Sequence, residues 1–423
     1  RCPHPSPLPQ GEGIEEATDM PGPLDGLRIL DFTWALAGPY GSMILTDLGA
    51  DVYKVEHVGT DERHRGAGPY VHGVSTYFFS VNRGKKSVTL DLKHPDAVQI
   101  VKDLIDPSAG GIDVLTENFR PGAMKRLGLG YDDLSAVNPR LIYASTSGFG
   151  HSGPYQHRPA VDVIVQGMGG VMSITGHPGG PPARPGYSIG DMAGGMYTAI
   201  GVLAAMHERE SSGLGQHVDV AMLDAQVALL ENAVVRAANT DEVPGPIGTR
   251  HPLVTPFQAF PTLDGWMVIA GVKDWQLFCA KIERDDLLHD DRFQTNPDRT
   301  EHHADLEPIL YEAFKGRTTA DWEAELEGVC IAAPMNTLPE IINDPHIAAR
   351  GMIAELPVAK SQKTIKVSGS PVHLSRTPIK LKRGASAIGE HTREALQLIG
   401  RSSEEIDGLA DAGAVSLDEG DPQ

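Results

Sequence analysis

LRILDFTWALAGPYGSMILTDLGADVYKVE, residues 27–56, changes its hydrophobic rhythm twice. LRILDF (27–32) is an apolar run of strand length. AGPYGSMILTDLG (37–49) carries a one-faced helical pattern, with Pro39 in a first-turn position and Gly49 placed to end the helix. DVYKVE (51–56) alternates again as a strand. Strand, helix and strand within about 30 residues make a parallel βαβ unit. Such a unit is right-handed, because a right-twisted strand feeding a right-handed helix packs back onto the sheet only that way.

The alternation continues outward from this stretch. SVTLDL (87–92), VLTENF (114–119) and LIYASTSGF (141–149) read as further strands, and Pro95 opens the helix DAVQIVKDLI. The pattern predicts an α/β fold with a doubly wound, Rossmann-like large domain that takes its ligand at the carboxyl ends of the strands. Helices are predicted from Asp191 through GGMYTAIGVLAAMHERE and over roughly 218–238. The expected domain plan places the N-terminal part of the large domain at 21–225 and a linker at 226–247, ending in the Pro/Gly-rich EVPGPIG. A smaller α+β domain follows at 248–345, with a hairpin turning at Asp264-Gly265, and 346–423 returns to the large domain. Residues 1–20, rich in proline, glycine and acid and without the apolar core of a signal peptide, read as a disordered tail.

Composition narrows the function classes. The 423-residue chain carries a formal net charge of −20 from 36 basic and 56 acidic side chains. It lacks the basic face that a nucleic-acid binder needs to release counterions, so no nucleic-acid partner is expected. The longest apolar-leaning stretch without charge, Ala193 to Met206, is too short to span a bilayer, so no membrane association is expected. Cys2, Cys279 and Cys330 are odd in number and far apart, which argues against a disulfide framework or a CxxC metal site. This profile fits a cytoplasmic enzyme.

Individual residues carry sharper and blander readings. The turn TWALAGPYG (33–41) has no GxGxxG, so Glu56 at the end of the second strand makes only a weak case for a nicotinamide cofactor. His302 and His303 are adjacent and face different sides of a helix, so no metal is expected there. Ser145, Ser147 and Ser173 lack the GxSxG elbow of a serine hydrolase. Asp191, within RPGYSIGDMAGGMYTAIGVLAAM (184–206), opens a helix and precedes Gly194-Gly195. One reading is an N-cap that accepts first-turn amides. The other is a nucleophile kept ionised by the helix N-terminus, with glycines that let a ligand approach the backbone. Arg83 with Lys85-Lys86, and Arg120 with Lys125-Arg126, are basic clusters on an acidic chain. They are either solvated loop charge or a site for a phosphate-bearing ligand.

PLDGLRILDFTWALAGPYGSMILTDLGADVYKVE, NRGKKSVTLDL, ENFRPGAMKRLGLGYDDL, NPRLIYASTSGFG, IGDMAGG and GLGQHVDVAMLD, in unbroken order, resemble the family III coenzyme A transferases. These include the formyl-CoA transferase group and share a superfamily with the α-methylacyl-CoA racemases. The resemblance spans nearly all of Pro23 to Val415. It implies that Asp191 is the nucleophile of an acyl-CoA:carboxylate CoA-transferase working through aspartyl anhydride and thioester intermediates. It also implies that Leu36, Ala37, His57, Leu90 through Lys93, Asn118, Phe119, Arg120 and Arg126 line the site for coenzyme A, and that Arg158 to Val161 contact the thioester end. His57 stands where some relatives have an arginine. The glycine-rich flap of formyl-CoA transferases is not visible, and GTRHPLV (248–254) occupies its neighbourhood. The implied assembly is an interlocked homodimer. The implied substrates are an acyl-CoA and a carboxylic acid, with no prosthetic group and no metal. Backbone amides near Gly194 and Gly195 are the expected oxyanion donors. The racemase branch is the main alternative. It places an acid/base histidine thirty residues before the aspartate, where this chain has Val161, which cannot move a proton. Asp162 beside it matches an acidic residue of both branches. A non-catalytic protein that binds coenzyme A is the third reading.

Overall fold

The computed structural model describes residues 21–59 and 65–418, so the tail expected at 1–20 lies outside the described residues. The chain divides into two compact units, Arg1–Ala160 with Asp191–Ala225 and Gly351–Gln423, and Val161–Gly190 with Gln226–Arg350.

The first unit is built on six parallel strands: β1 (Arg28–Asp31), β2 (Asp51–Glu56), β3 (Lys86–Thr89), β4 (Val114–Glu117), β5 (Ile142–Ser147) and β6 (His217–Ala221). Their spatial order is β3-β2-β1-β4-β5-β6, the doubly wound Rossmann order, whose topological switch lies between β1 and β4. Strand side chains alternate between faces, and the two faces bury different helices. Ile29, Val52, Val114 and Ile142 pack with Leu45 of α1 (Ala37–Asp47). Leu30, Tyr53, Leu115 and Tyr143 pack instead with Ile100, Val101 and Leu104 of α2 (Pro95–Ile105) and with Leu396 and Ile406 from the C-terminal helices Thr392–Leu398 and Ser403–Asp411. The C-terminal return thus completes one layer of the core.

Helix α3 (Ile189–Ser212) fixes the position of Asp191. Its Ala199, Val202 and Ala205 join the core with Ile29 and Val114. A Cβ at Gly195 would stand 2.6 Å from the Ala37 carbonyl oxygen, and one at Gly41 would stand 2.8 Å from the Gly195 oxygen. α1 and α3 therefore meet backbone to backbone, which only glycine permits. Thr146 near the end of β5 bonds Thr198 (2.7 Å), while the Arg209 guanidinium near the far end of α3 donates to the Arg140 carbonyl ahead of β5 (3.1 Å). α3 runs antiparallel to β5, and its N-terminus lies at the carboxyl edge of the sheet. At 24 residues, with an 18-residue window of mean hydropathy 1.3, α3 is long and apolar enough to cross a membrane by length and composition alone. That differs from the expectation drawn from the shorter run Ala193 to Met206. Part of this hydrophobicity faces the sheet.

Two expected elements differ. The helix expected from 218 begins only at Met222, because His217–Ala221 pairs residue for residue with Tyr143–Ser147 as β6. The linker expected at 226–247 is helical over most of its length, as Met222–Leu229 and Glu231–Asn239.

In the second unit, β7 (Gln258–Pro261), β8 (Trp266–Ala270) and β9 (Ile331–Pro334) form an antiparallel sheet in the order β9-β8-β7. Phe260, Met267, Phe278, Phe314 and Trp322 fill its core against helices Trp275–Lys281, His303–Phe314 and Thr319–Glu325. Asp264 sits in the β7–β8 turn and accepts the Thr319 amide (2.8 Å). Segment Val161–Gly190, expected within the large domain, clusters here. Its helix Asp162–Met168 leads to Gly169, which packs against Gln226.

Candidate functional site

The carboxyl ends of β1 to β4 open on a cleft of about 410 Å³ at the topological switch, where a doubly wound sheet holds its ligand. Phe32, Trp34, His57, Leu90, Lys93 and Phe119 are among its lining residues. Four of the residues expected to line a site for coenzyme A, His57, Leu90, Lys93 and Phe119, are thereby brought together.

Beneath the cleft lies a buried polar network. Asp31, which closes β1, accepts hydrogen bonds from the Thr33 amide (2.9 Å), Ser42 Oγ (2.8 Å), Thr116 Oγ1 (3.0 Å) and Lys85 Nζ (3.0 Å). Burial opposes its charge, yet the Lys85 and Lys54 ammoniums and the hydroxyls hold its carboxyl well below the usual range. Burial in turn pulls Lys85 down to about 8, with Asp31 acting against that pull. Lys54 Nζ donates to the Thr33 carbonyl (2.6 Å) and so ties the cleft floor to β2.

The walls are positioned by short-range clamps. Asn118, just after β4, pairs both ways with the Trp34 backbone: the Trp34 amide donates to Oδ1 (2.9 Å) and Nδ2 donates to the Trp34 carbonyl (2.8 Å). Asn118 thus holds the β1–α1 loop, which turns through Ala35 at φ +62°, a left-handed conformation costing an alanine about 1 kcal/mol. Leu36 and Ala37 follow, Ala37 buried as the first residue of α1. They stand beside the cleft lining. Arg126 is exposed next to Leu127, a lining residue. Arg120 is exposed and lines a neighbouring cavity. Arg158 is exposed with its guanidinium over the Tyr155 ring (4.7 Å) and is not brought to this cleft.

The first basic cluster is not an anion site. Arg83 is buried and bound to Asp47 through two hydrogen bonds (3.0 and 2.6 Å), Lys85 is held by Asp31, and Lys86 pairs with Asp51 and Glu394 (2.9 Å each). Each cation is neutralised by a carboxylate distant in sequence, which local reading cannot see. Glu56 is likewise occupied, by Arg65 (2.7 and 2.8 Å) and Ser87 (2.6 Å).

Asp191 is the third residue of α3, not its cap. The Gly190 amide is taken by Asp162 Oδ1 (2.9 Å), so a different carboxylate satisfies this first-turn donor. Three residues separate Asp191 from Gly194, about 4.5 Å along a helix. Asp191 therefore stands at the carboxyl edge of the sheet, the edge on which the cleft opens, half-buried. Gly194 and Gly195 lie beyond the first turn, where the helical ladder uses the amides. Their place is explained by close packing, Gly194 against Met222 and Gly195 against Ala37, and not by oxyanion binding.

Trp34, Lys54, Asp31 and Glu117 were not singled out from the sequence. The available signal was an acidic residue closing an apolar run, LRILD and VLTE, at a strand's carboxyl end.

The family CoA-transferase family III matches residues 24–392. Acetyl-CoA:oxalate CoA-transferase of Acetobacter aceti is 40% identical over 358 residues, 84% of this chain and 90% of its own. Succinyl-CoA:glutarate CoA-transferase of Mus musculus is 36% identical over 390 residues, 91% of this chain and 88% of its own. The crystal structure of a CAIB/BAIF family protein from Brucella suis superposes with a TM-score of 0.80 at 34% identity, covering 90% of this chain and all of that one.

Proposed function

Because this chain belongs to CoA-transferase family III, we propose that it moves coenzyme A from an acyl-CoA to a carboxylic acid through covalent intermediates on Asp191. A carboxylate oxygen of Asp191 attacks the thioester carbonyl, the C–S bond breaks, and a mixed anhydride forms with release of the CoA thiolate. The thiolate attacks the aspartyl carbonyl, the donor acid leaves as carboxylate, and an aspartyl thioester remains. The acceptor carboxylate attacks this thioester and displaces the thiolate. The thiolate then attacks the acceptor's acyl carbonyl, giving the new acyl-CoA and free Asp191. A carboxylate serves as nucleophile here because the anhydride it forms stays as activated as the thioester it replaced.

The observation that carries this reading is the shared edge: α3 brings Asp191 to the side of the sheet on which the cleft opens. The racemase alternative is weaker, because Val161 precedes the helix Asp162–Met168 as an exposed, proton-inert side chain. Intact-mass measurement after incubation with a mixture of acyl-CoAs tests the proposal. An adduct of acyl or CoA mass supports it. Deuterium uptake at a 2-methylacyl-CoA without any adduct would overturn it.

Arg126 is the proposed partner of the 3′-phosphate of coenzyme A, being a cation at the exposed rim beside Leu127. Arg126→Ala is expected to weaken CoA binding about 10-fold and dephospho-CoA binding by less than about 2-fold, the difference a charge-assisted contact makes. Equal losses for both in calorimetric titration would remove Arg126 from the phosphate.

The interlocked homodimer is also part of this proposal. Met196, Tyr197, Ile200 and Leu203 recur at helical spacing on α3 and are exposed in the single chain. An apolar stripe on a helix is commonly covered by a partner. Light scattering is expected to give twice the chain mass, and a monomer would withdraw the second copy.

A further inference from the structure

We propose that Glu117 is a positioning residue for coenzyme A: its buried carboxylate sets the turn through Asn118 and Phe119, and thereby both walls of the cleft. The inference rests on the reading of the cleft as the site for coenzyme A.

The geometry starts at the last residue of β4. Glu117 Oε2 accepts the amide of Phe119 (2.8 Å), closing a two-residue turn over Asn118. Asn118 holds the Trp34 backbone on one side of the cleft, and Phe119 lines it directly. One buried side chain thus underlies two lining groups drawn from β1 and β4, the two strands at the topological switch. No part of the proposed covalent chemistry uses Glu117.

Behind the carboxylate lies a separate cavity of about 250 Å³. His151 Nε2 reaches to 3.6 Å from Glu117 Oε1 and is buried with no hydrogen-bond partner. Asp219 on β6 accepts the His151 amide (2.9 Å), and His217 Nε2 lies 2.9 Å from Ser145 Oγ. Tyr143 lines the cavity from β5, and Tyr131, Asp132 and Asp133 line it from the helix Tyr131–Ser135. Arg120 and Lys125 are the cations on its wall.

These surroundings place the ionisation of Glu117 near neutrality. Burial pushes its carboxyl up to about 7, and Asp219 adds to the rise, against the Ser145 hydroxyl and the Phe119 amide. Burial pulls His151 and His217 below the usual imidazole range, against the Asp219 carboxylate. As pH rises through about 7, the carboxyl acquires its charge and the Phe119 amide gains a stronger acceptor. The turn tightens, and affinity for coenzyme A increases with pH.

The test is calorimetric titration of the full-length protein with CoA from pH 6 to 8, repeated with dephospho-CoA because the 3′-phosphate itself titrates. Wild type is expected to bind about 5-fold more tightly at pH 8 than at pH 6, since a charged acceptor roughly doubles the strength of such a bond. Glu117→Gln keeps an acceptor for the Phe119 amide but cannot ionise, so it should hold the weaker, acid-side affinity across the range. In turnover, its KM for acyl-CoA at pH 8 should rise by the same factor with kcat unchanged. His57→Asn, which replaces the imidazole of the lining and leaves Glu117 in place, should shift affinity at all pH values and keep the inflection. A flat wild-type profile, or an inflection retained by Glu117→Gln, overturns the proposal. Phe119→Ala separates the two levels. If it binds CoA as tightly as wild type, the reading of the cleft fails. If it weakens CoA while Glu117→Gln keeps the inflection, only the role of Glu117 fails.

Discussion

Asp191→Asn is expected to lower kcat for CoA transfer by about three orders of magnitude or more, with CoA affinity and fold retained. The carboxamide cannot form the anhydride, so each covalent step after substrate binding is lost. The fold should survive because the Gly190 amide at the start of α3 is already held by Asp162, 2.9 Å away. The helix dipole accounts for about 0.3–1 kcal/mol of the charge lost near the N-terminus. Intact mass should show no acyl or CoA adduct on the variant under conditions that label wild type. A variant that transfers within about 10-fold of wild type would exclude Asp191 as nucleophile, since losing a covalent nucleophile costs far more. One that fails to fold would instead assign it a structural role.

Asp31→Asn is expected to destabilise the first unit by about 3–5 kcal/mol, the usual cost of removing one partner of a buried pair. Asp31 is wholly buried, and the groups aimed at it, the Thr33 amide, the Thr33, Ser42 and Thr116 hydroxyls and the Lys85 ammonium, all donate. An amide in its place would turn one NH2 toward donors and leave the Lys85 charge uncompensated. The double variant Asp31→Leu with Lys85→Met should be less destabilised than Asp31→Asn, because it removes both charges at similar volume. Urea denaturation followed by circular dichroism reads both effects. A shift below about 1 kcal/mol for Asp31→Asn would mean that the site relaxes or admits water, contrary to the usual cost of an uncompensated buried charge.

Both residues show how far local sequence carries the site. Asp191 was legible by its motif, but its helix position was not: the helix begins two residues earlier, at Ile189, because Asp162 supplies an acceptor from another element. Asp31 was read only as the end of a strand. Its importance comes from Lys85, 54 residues away, and Thr116, 85 residues away. The run NRGKKS left open solvated loop charge or a phosphate site, because three cations stand together in sequence, whereas the fold gives each its own carboxylate. HVDVA read as helix because the apolar run continues into Met222–Leu229, and β5 made it a strand by pairing with it.

The sequence by itself determined the α/β class, the order of the first strands and helices, and the family, because hydrophobic period and motif order are local properties. The family resemblance implied His57, Leu90, Lys93 and Phe119 as lining residues, and the fold brings these four to one cleft. Only the tertiary structure decided which charges are spent and which remain at the rim, where β6 lies, and that Glu117 stands behind the cleft wall. Those depend on partners dozens to hundreds of residues apart. Whether a carboxylate meets an ammonium, an amide or water is settled by the packing that buries it, not by its neighbours in the chain.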